Sequence, residues 1–301
     1  AGIGSTTAIN LEAFFVSADT TSGAININNT SGTAVSVTSL TTTGSDGITF
    51  NQTGLGGIGI DGPVSTGTGT IAITSQKGIS GTGLITQANA AGSVTLNAGA
   101  GAILLTNAAN NFTGAVSLSN TGANNVAITD TNALNFGASS LGSGTFAVNA
   151  VGITQSGAIT QASSAGAATF NAGAGVITLT NASNDFTGAV SLNNSGANNV
   201  GITDTNAIDF GASSLGSGTL AVTAVGITQS GAITQASSAG ASTFNAGAGV
   251  ITLTNAGNDF TGAVSLNNSG ANSVAITDTN AIDFGASALG SGTLTVTAVG
   301  I

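Results

Sequence analysis

Histidine, arginine, cysteine, methionine, tryptophan and tyrosine are all missing from this 301-residue chain, and Lys77 is its only basic side chain. Each absence excludes a class of function. Affinity for nucleic acid comes largely from Lys and Arg neutralising phosphates, so no nucleic-acid partner is expected. The same shortage argues against anionic membrane surfaces. Without cysteine there is neither a disulfide framework nor a thiolate metal site, a condition compatible with an exported chain that stays unfolded in transit. Without histidine a hydrolase triad lacks the base between nucleophile and acid. No apolar run approaches the about 18 residues of a membrane-spanning helix, and no signal peptide is visible. The runs are also too short, and the aromatic girdle too bare, for an outer-membrane barrel. No membrane insertion is expected.

Charge is scarce as well. Only 4% of residues are charged, against roughly 25% in an ordinary soluble domain. Disordered chains are normally poor in apolar residues and rich in charge. This one is 41% hydrophobic, which argues for a folded core. Its polarity comes from Asn, Ser and Thr, punctuated by 47 glycines, and eleven acids against one lysine give a net charge of −10.

The chain does contain a repeat. GAVSL begins at Gly114, Gly188 and Gly262, a period of 74 residues, and 65 of 74 positions are identical between 114–187 and 188–261. A partial third copy fills 262–301 and stops in mid-repeat, which predicts a segment of something longer. A degenerate copy occupies 66–113: GTIAITSQKGISGTGLITQ (69–87) matches GTFAVNAVGITQSGAITQ (144–161). Residues 1–65 are less regular and read as further solenoid turns or a cap.

Within the 74 residues, Ile-Thr-x-Thr/Ser recurs at Ile202, Ile227, Ile251 and Ile276, in steps of 25, 24 and 25. Short runs rich in Val, Ile, Thr and Phe, bounded by Gly and Asn, read as strands. In the second copy these are VSL, VGIT, AIDF, TLAV, GIT, AIT, STF, VITL and DFT. Glycine is too frequent for long helices. The expected fold is an all-β parallel β-helix or solenoid, with about 25 residues per turn and three turns per sequence repeat. Inward positions are assigned to Leu192, Ile202, Ile208, Leu220, Val222, Ile227, Ile233, Phe244 and Ile251.

GTIAIT, GSVTLNAGAGAILLT and GVITLTNA resemble the haemagglutinin-type repeats of filamentous bacterial surface proteins: two-partner-secretion exoproteins, autotransporter passengers and giant secreted repeat adhesins. The resemblance, one of texture and period, covers nearly the whole chain from about residue 20. It implies a right-handed parallel β-helix, export to the bacterial surface or medium, and adhesive or structural work in filaments or biofilm.

Three groups of residues are candidates for chemistry or contact. Asp130, Asp204 and Asp278 hold the same place in each copy, inside ITDTN. Asp209 and Asp283 align with Asn135, and Asp185 and Asp259 with Asn111, so those acids are replaceable within the chain itself. Asp204 with Asp209, and Asp278 with Asp283, are candidate Ca²⁺ ligands, against the plainer reading of solvated or turn-capping acids. No catalytic residue and no cofactor other than that calcium is assigned. Thr203, Thr205, Thr228, Ser230, Thr252 and Thr254 are expected to stack on one face, as a rod-to-rod contact or an ice-binding array, or simply as exposed strand residues. Leu11, Phe14, Phe15 and Val16 are candidates for an end-to-end joint, or else ordinary core. Asn97, Asn171 and Asn245, with Asn107, Asn181 and Asn255, read as corner residues.

Together these readings point to a non-enzymatic extracellular fibre or adhesin stalk. Its partners would be itself, lengthwise or laterally, and a host or neighbouring cell surface or polysaccharide. An ice- or surface-binding solenoid is the alternative, and a polysaccharide-active β-helix enzyme ranks last.

Overall fold

The computed structural model describes residues 2–301, in two compact units, Ala1–Ala150 and Val151–Ile301. Each is a parallel β-solenoid, about 13 turns in all, with turns about 22 residues apart and no helix among the described residues.

The local reason for the strands is alternation. In Val190–Asn193, Val190 and Leu192 are fully buried while Ser191 and Asn193 face outward. That period of two is what a strand with one buried face requires. Glycine and asparagine close the corners. Gly99, Gly173 and Gly247 adopt positive φ, which costs glycine little. Asparagine supplies the neighbouring hydrogen bonds. The amides of Gly99, Ala109, Ser183 and Gly257 donate to the side-chain oxygens of Asn97, Asn107, Asn181 and Asn255 respectively. These are the corner roles expected of them.

In the first unit one sheet climbs through Ile9–Leu11, Ile25–Asn29, Ile48–Gln52, Ile71–Ser75, Val94–Asn97 and Val116–Ser119. The other contains Phe15–Asp19, Val35–Thr41, Ile79–Ser80, Ile103–Leu105, Val126–Thr129 and Phe146–Asn149. In the second unit one sheet runs Ile153–Gln155, Ile177–Leu179, Val200–Thr203, Leu220–Thr223, Ser242–Asn245 and Val264–Asn267. The facing sheet runs Ala168–Asn171, Val190–Asn193, Ile208–Phe210, Ile227–Gln229, Ile251–Leu253, Val274–Thr277 and Leu294–Thr297.

Turn length differs from the expected 25. Val200 stands beside Leu220, Leu220 beside Ser242 and Ser242 beside Val264, steps of 20, 22 and 22. In the facing sheet Val190 pairs with Phe210, Ile208 with Ile227, Ile227 with Ile251 and Ile251 with Val274. Val274 is therefore four turns from Val190, and Val264, ten residues earlier, lies in the opposite sheet. One 74-residue copy spans three and a half turns, not three. The GAVSL strands Val190–Asn193 and Val264–Asn267 consequently occupy opposite sheets of their unit. So do Val200 and Val274. The degenerate copy in the first unit behaves alike, with Ile71 in one sheet and Phe146 in the other.

The core matches its assignment: all nine inward positions named from the sequence are buried. Phenylalanines fill it in edge-to-face pairs, Phe170 with Phe186 and Phe244 with Phe260, each with ring centroids 5.8 Å apart. Of the nine runs read as strands in the second copy, DFT (259–261) forms only an isolated bridge, Asp259 to Thr234. The polar SSL run, Ser213–Leu215, is a strand that went unread.

Candidate functional site

The most elaborate recurrent feature is a buried polar corner. Asn184 is fully buried. Its Oδ1 accepts hydrogen bonds from the Ile159 amide at 2.9 Å and Gln155 Nε2 at 2.8 Å. Its Nδ2 donates to Gln155 Oε1 at 2.8 Å and to the carbonyls of Leu179 and Thr203 at 3.1 and 3.2 Å. Asn258 repeats every one of these bonds with Gln229, Ile233, Leu253 and Thr277. One side chain thus ties together backbone from successive turns, and its donors and acceptors are all used, which is what makes a buried amide tolerable.

Beside it sits the aspartate of ITDTN. Asp130, Asp204 and Asp278 are each 3% exposed. Asp204 Oδ1 accepts from the Asn206 amide and Oδ2 from the Phe186 amide, both at 2.9 Å. Asp130 and Asp278 accept from Asn132 and Asn280, each at 3.1 Å, while their Oδ2 atoms have no hydrogen-bond partner. Burial pushes the Asp130 carboxyl up to about 6, against the weaker pull of the Asn132 and Phe112 amides. Burial likewise raises Asp204 and Asp278, helped by the negative charges of Asp185 and Asp259. These residues cap turns, as the plainer reading held, but they are not solvated.

A 25-residue turn would set Gln229 on one side of Asp204 and Leu179 or Thr180 on the other; Gln229 lies instead in the facing sheet, beside Phe210, while Leu179 does lie on the adjoining strand, beside Ile202. The Asp204 amide donates to the Thr223 carbonyl, and its carboxylate reaches back to Phe186. Asp209 lies on the facing sheet, accepting from Thr228 Oγ1 at 3.1 Å, so the structure does not bring Asp204 and Asp209 together. Asp283 is exposed whereas Asp278 is buried. Among the described residues no group of three or more acids forms that could hold a metal ion.

The threonine array is also divided. Thr203 lies in one sheet of the second unit, beside Thr223. Thr228 and Thr252 lie in the other, on neighbouring strands in the register set by Ile227 and Ile251. Thr205 and Ser230 fall at strand ends, their amides bonded to the Asn184 and Phe210 carbonyls, and Thr254 is an exposed residue past its strand. The expected single face is thus two, because the step of 25 from Ile202 to Ile227 crosses between sheets.

The joint candidates separate similarly. Val16 is core, whereas Phe15, 74% exposed, points outward from the same strand, and Phe14 is exposed beside it. Leu11 is half-buried at the end of Ile9–Leu11. Lys77 is exposed at one edge of a shallow groove of about 230 Å³ lined also by Gly57, Gly59, Ser80 and Leu104. In the second unit a hollow of about 280 Å³ is lined by Asn171, Asn193, Asn194 and Ser214, and Asn193 Nδ2 bridges to Asn171 Oδ1 at 2.9 Å.

Sequence reading passed over the buried Asn–Gln pairs. Their signal was present: Asn110, Asn184 and Asn258 recur unchanged, as do Asp130, Asp204 and Asp278, where other acids exchange with Asn between copies.

A family model described as "Repeats of unknown function (DUF5649)" matches residues 60–119, 123–193, 197–267 and 271–301. The chain belongs to this repeat family. Three of its matched segments begin 74 residues apart, in step with the sequence repeat. No curated protein and no solved structure matches the chain.

Proposed function

We propose that this DUF5649-repeat chain is a structural, non-enzymatic part of an extracellular fibre or adhesin stalk at a bacterial surface. One observation carries the reading. The repeat places each exposed group first on one sheet and then on the facing one, as with Val190–Asn193 and Val264–Asn267. Copying then extends length and stacking without building up any single face. Three features support it further: the resemblance to haemagglutinin-type repeats, the lack of histidine, arginine and cysteine, and recurrent polar corners whose bonds go to backbone and to a glutamine side chain within the solenoid. The principal partner is the protein itself, through further turns. Recognition of a cell surface or polysaccharide belongs to other parts of such an assembly.

The test is antibody labelling of intact cells, with and without prior treatment by an external protease. Labelling of unpermeabilised cells that the protease abolishes is the expected result. Signal confined to permeabilised cells overturns the reading.

A further inference from the structure

The three recurrent aspartates have a property that the stalk reading does not require. Asp130, Asp204 and Asp278 are 3% exposed, and Oδ2 of Asp130 and Asp278 is buried without a partner. A buried carboxylate is costly in its charged form unless a cation or hydrogen bonds compensate. Among the described residues no cation acts on any of the three; Lys77, the only basic side chain, is absent from the groups that influence them. The charged group facing Asp204 is Asp185, bridged through Asn206 Nδ2 to Asp185 Oδ1 at 3.2 Å. The one facing Asp278 is Asp259, bridged through Asn280 Nδ2 at 3.1 Å. At Asp130 the corresponding neighbour is uncharged Asn111, bonded to Asn132 Nδ2 at 3.1 Å. From the adjoining turns come the Phe112, Phe186 and Phe260 amides, which pull weakly toward the charged form, and the Asn149, Thr223 and Thr297 carbonyls, which accept from the three aspartate amides at 2.8 Å. Among the described residues the corner therefore contains negative charge and neutral dipoles but nothing positive.

We propose that these aspartates form a pH-sensitive device at every third or fourth turn, which tightens the solenoid in mildly acidic surroundings and loosens it as the medium becomes neutral. A carboxyl raised in the folded state, relative to about 3.8 unfolded, binds more protons folded than unfolded between those values. Its stabilising contribution is complete below the unfolded value and lost as pH rises through the folded one, about 6 for Asp130. Asp19 acts in the opposite sense. Hydrogen bonds from Ser39 and Thr41 lower its carboxyl, so its contribution is lost only as pH falls below the ordinary aspartate range.

The experiment is denaturant unfolding of the whole chain from pH 4.5 to 7.5, for the native protein and two triple variants. Asp130→Asn, Asp204→Asn and Asp278→Asn remove the buried charges. Glu12→Gln, Asp61→Asn and Asp283→Asn remove the same number from exposed positions. The native midpoint and the surface variant are expected to rise as pH falls through about 6, and the buried variant to show little slope. A flat or inverted native profile overturns the proposal. So does a slope lost equally in the surface variant, which would mark general charge repulsion. Should the buried variant not fold, carbon-detected NMR titration of the native aspartate carboxyls decides. Carboxyls titrating well above the usual range uphold the proposal, and uniform titration in the ordinary range refutes it.

Discussion

Val190 and Val264 begin the same GAVSL strand in consecutive copies, yet they lie in opposite sheets of one solenoid unit. Sequence and structure therefore repeat with different periods. Seventy-four residues make three and a half turns, so two copies are needed before a side chain returns to its own sheet. A surface built this way treats its two sheets alike.

The register behind this relationship can be tested covalently. Thr243 pairs with Ser265 across neighbouring parallel strands, at the ~4.8 Å spacing of adjacent strands, within the Cα range that a disulfide spans. The chain has no native cysteine to interfere. Thr243→Cys with Ser265→Cys is expected to oxidise to a disulfide visible by mass spectrometry. Thr243→Cys with Asn268→Cys, the pair that a 25-residue turn would bring together, is expected to stay reduced.

Asn258→Ala leaves the Ile233 amide and the Leu253 carbonyl without their side-chain partner. At about 1–3 kcal/mol for each buried group left unpaired, a loss of about 2–6 kcal/mol is expected in denaturant unfolding. Faster hydrogen exchange at Ile233 should accompany it. Asn258→Asp, of the same shape but without donors, is expected to be no better, since it turns an acceptor toward the carbonyls of Leu253 and Thr277.

Ser242→Ala is expected to stabilise. Its hydroxyl is buried without a hydrogen-bond partner, and the equivalent position one copy earlier is Ala168, also fully buried. Removing an unpaired buried hydroxyl is expected to gain about 1 kcal/mol, read as a higher unfolding midpoint.

Glycines where turns stack closely are expected to resist substitution. A Cβ at Gly218 would lie 2.2 Å from the Asn198 carbonyl oxygen, whereas one at Gly32 meets nothing within 4 Å. Gly218→Ala is expected to cost about 1–3 kcal/mol or more through forced backbone movement, and Gly32→Ala to change stability by no more than about 0.5 kcal/mol. Paired denaturation curves would show the contrast.

Much of this architecture was legible in the sequence because the physics of a strand is local. Alternation in VSLN or LAVT fixes which side chains turn inward, and Leu192, Leu220 and Val222 are buried accordingly. Turn length was not legible in the same way. Ile202 and Ile227 share a motif but stand in different sheets, and corner lengths set by glycine packing decide where each strand lands. That error in phase moved the threonine array and the surroundings of Asp204. The depth of Asp204 was hidden for another reason: a polar residue at the end of a strand is buried by the turn next to it. Leu220 and Leu294 make the point within one unit, the first 1% exposed beside Ser242–Asn245 and the second 47% exposed in the last turn. A solenoid core is completed by its neighbours.

The central claim is that stacking of turns is itself the function. Its most direct test is electron microscopy of the native cell surface, with antibody to the repeat and a power spectrum along any labelled filament. The account predicts thin continuous fibres decorated along their length, with an axial reflection near ~4.8 Å from parallel strand stacking. Label on isolated particles, or on filaments without that reflection, would contradict it.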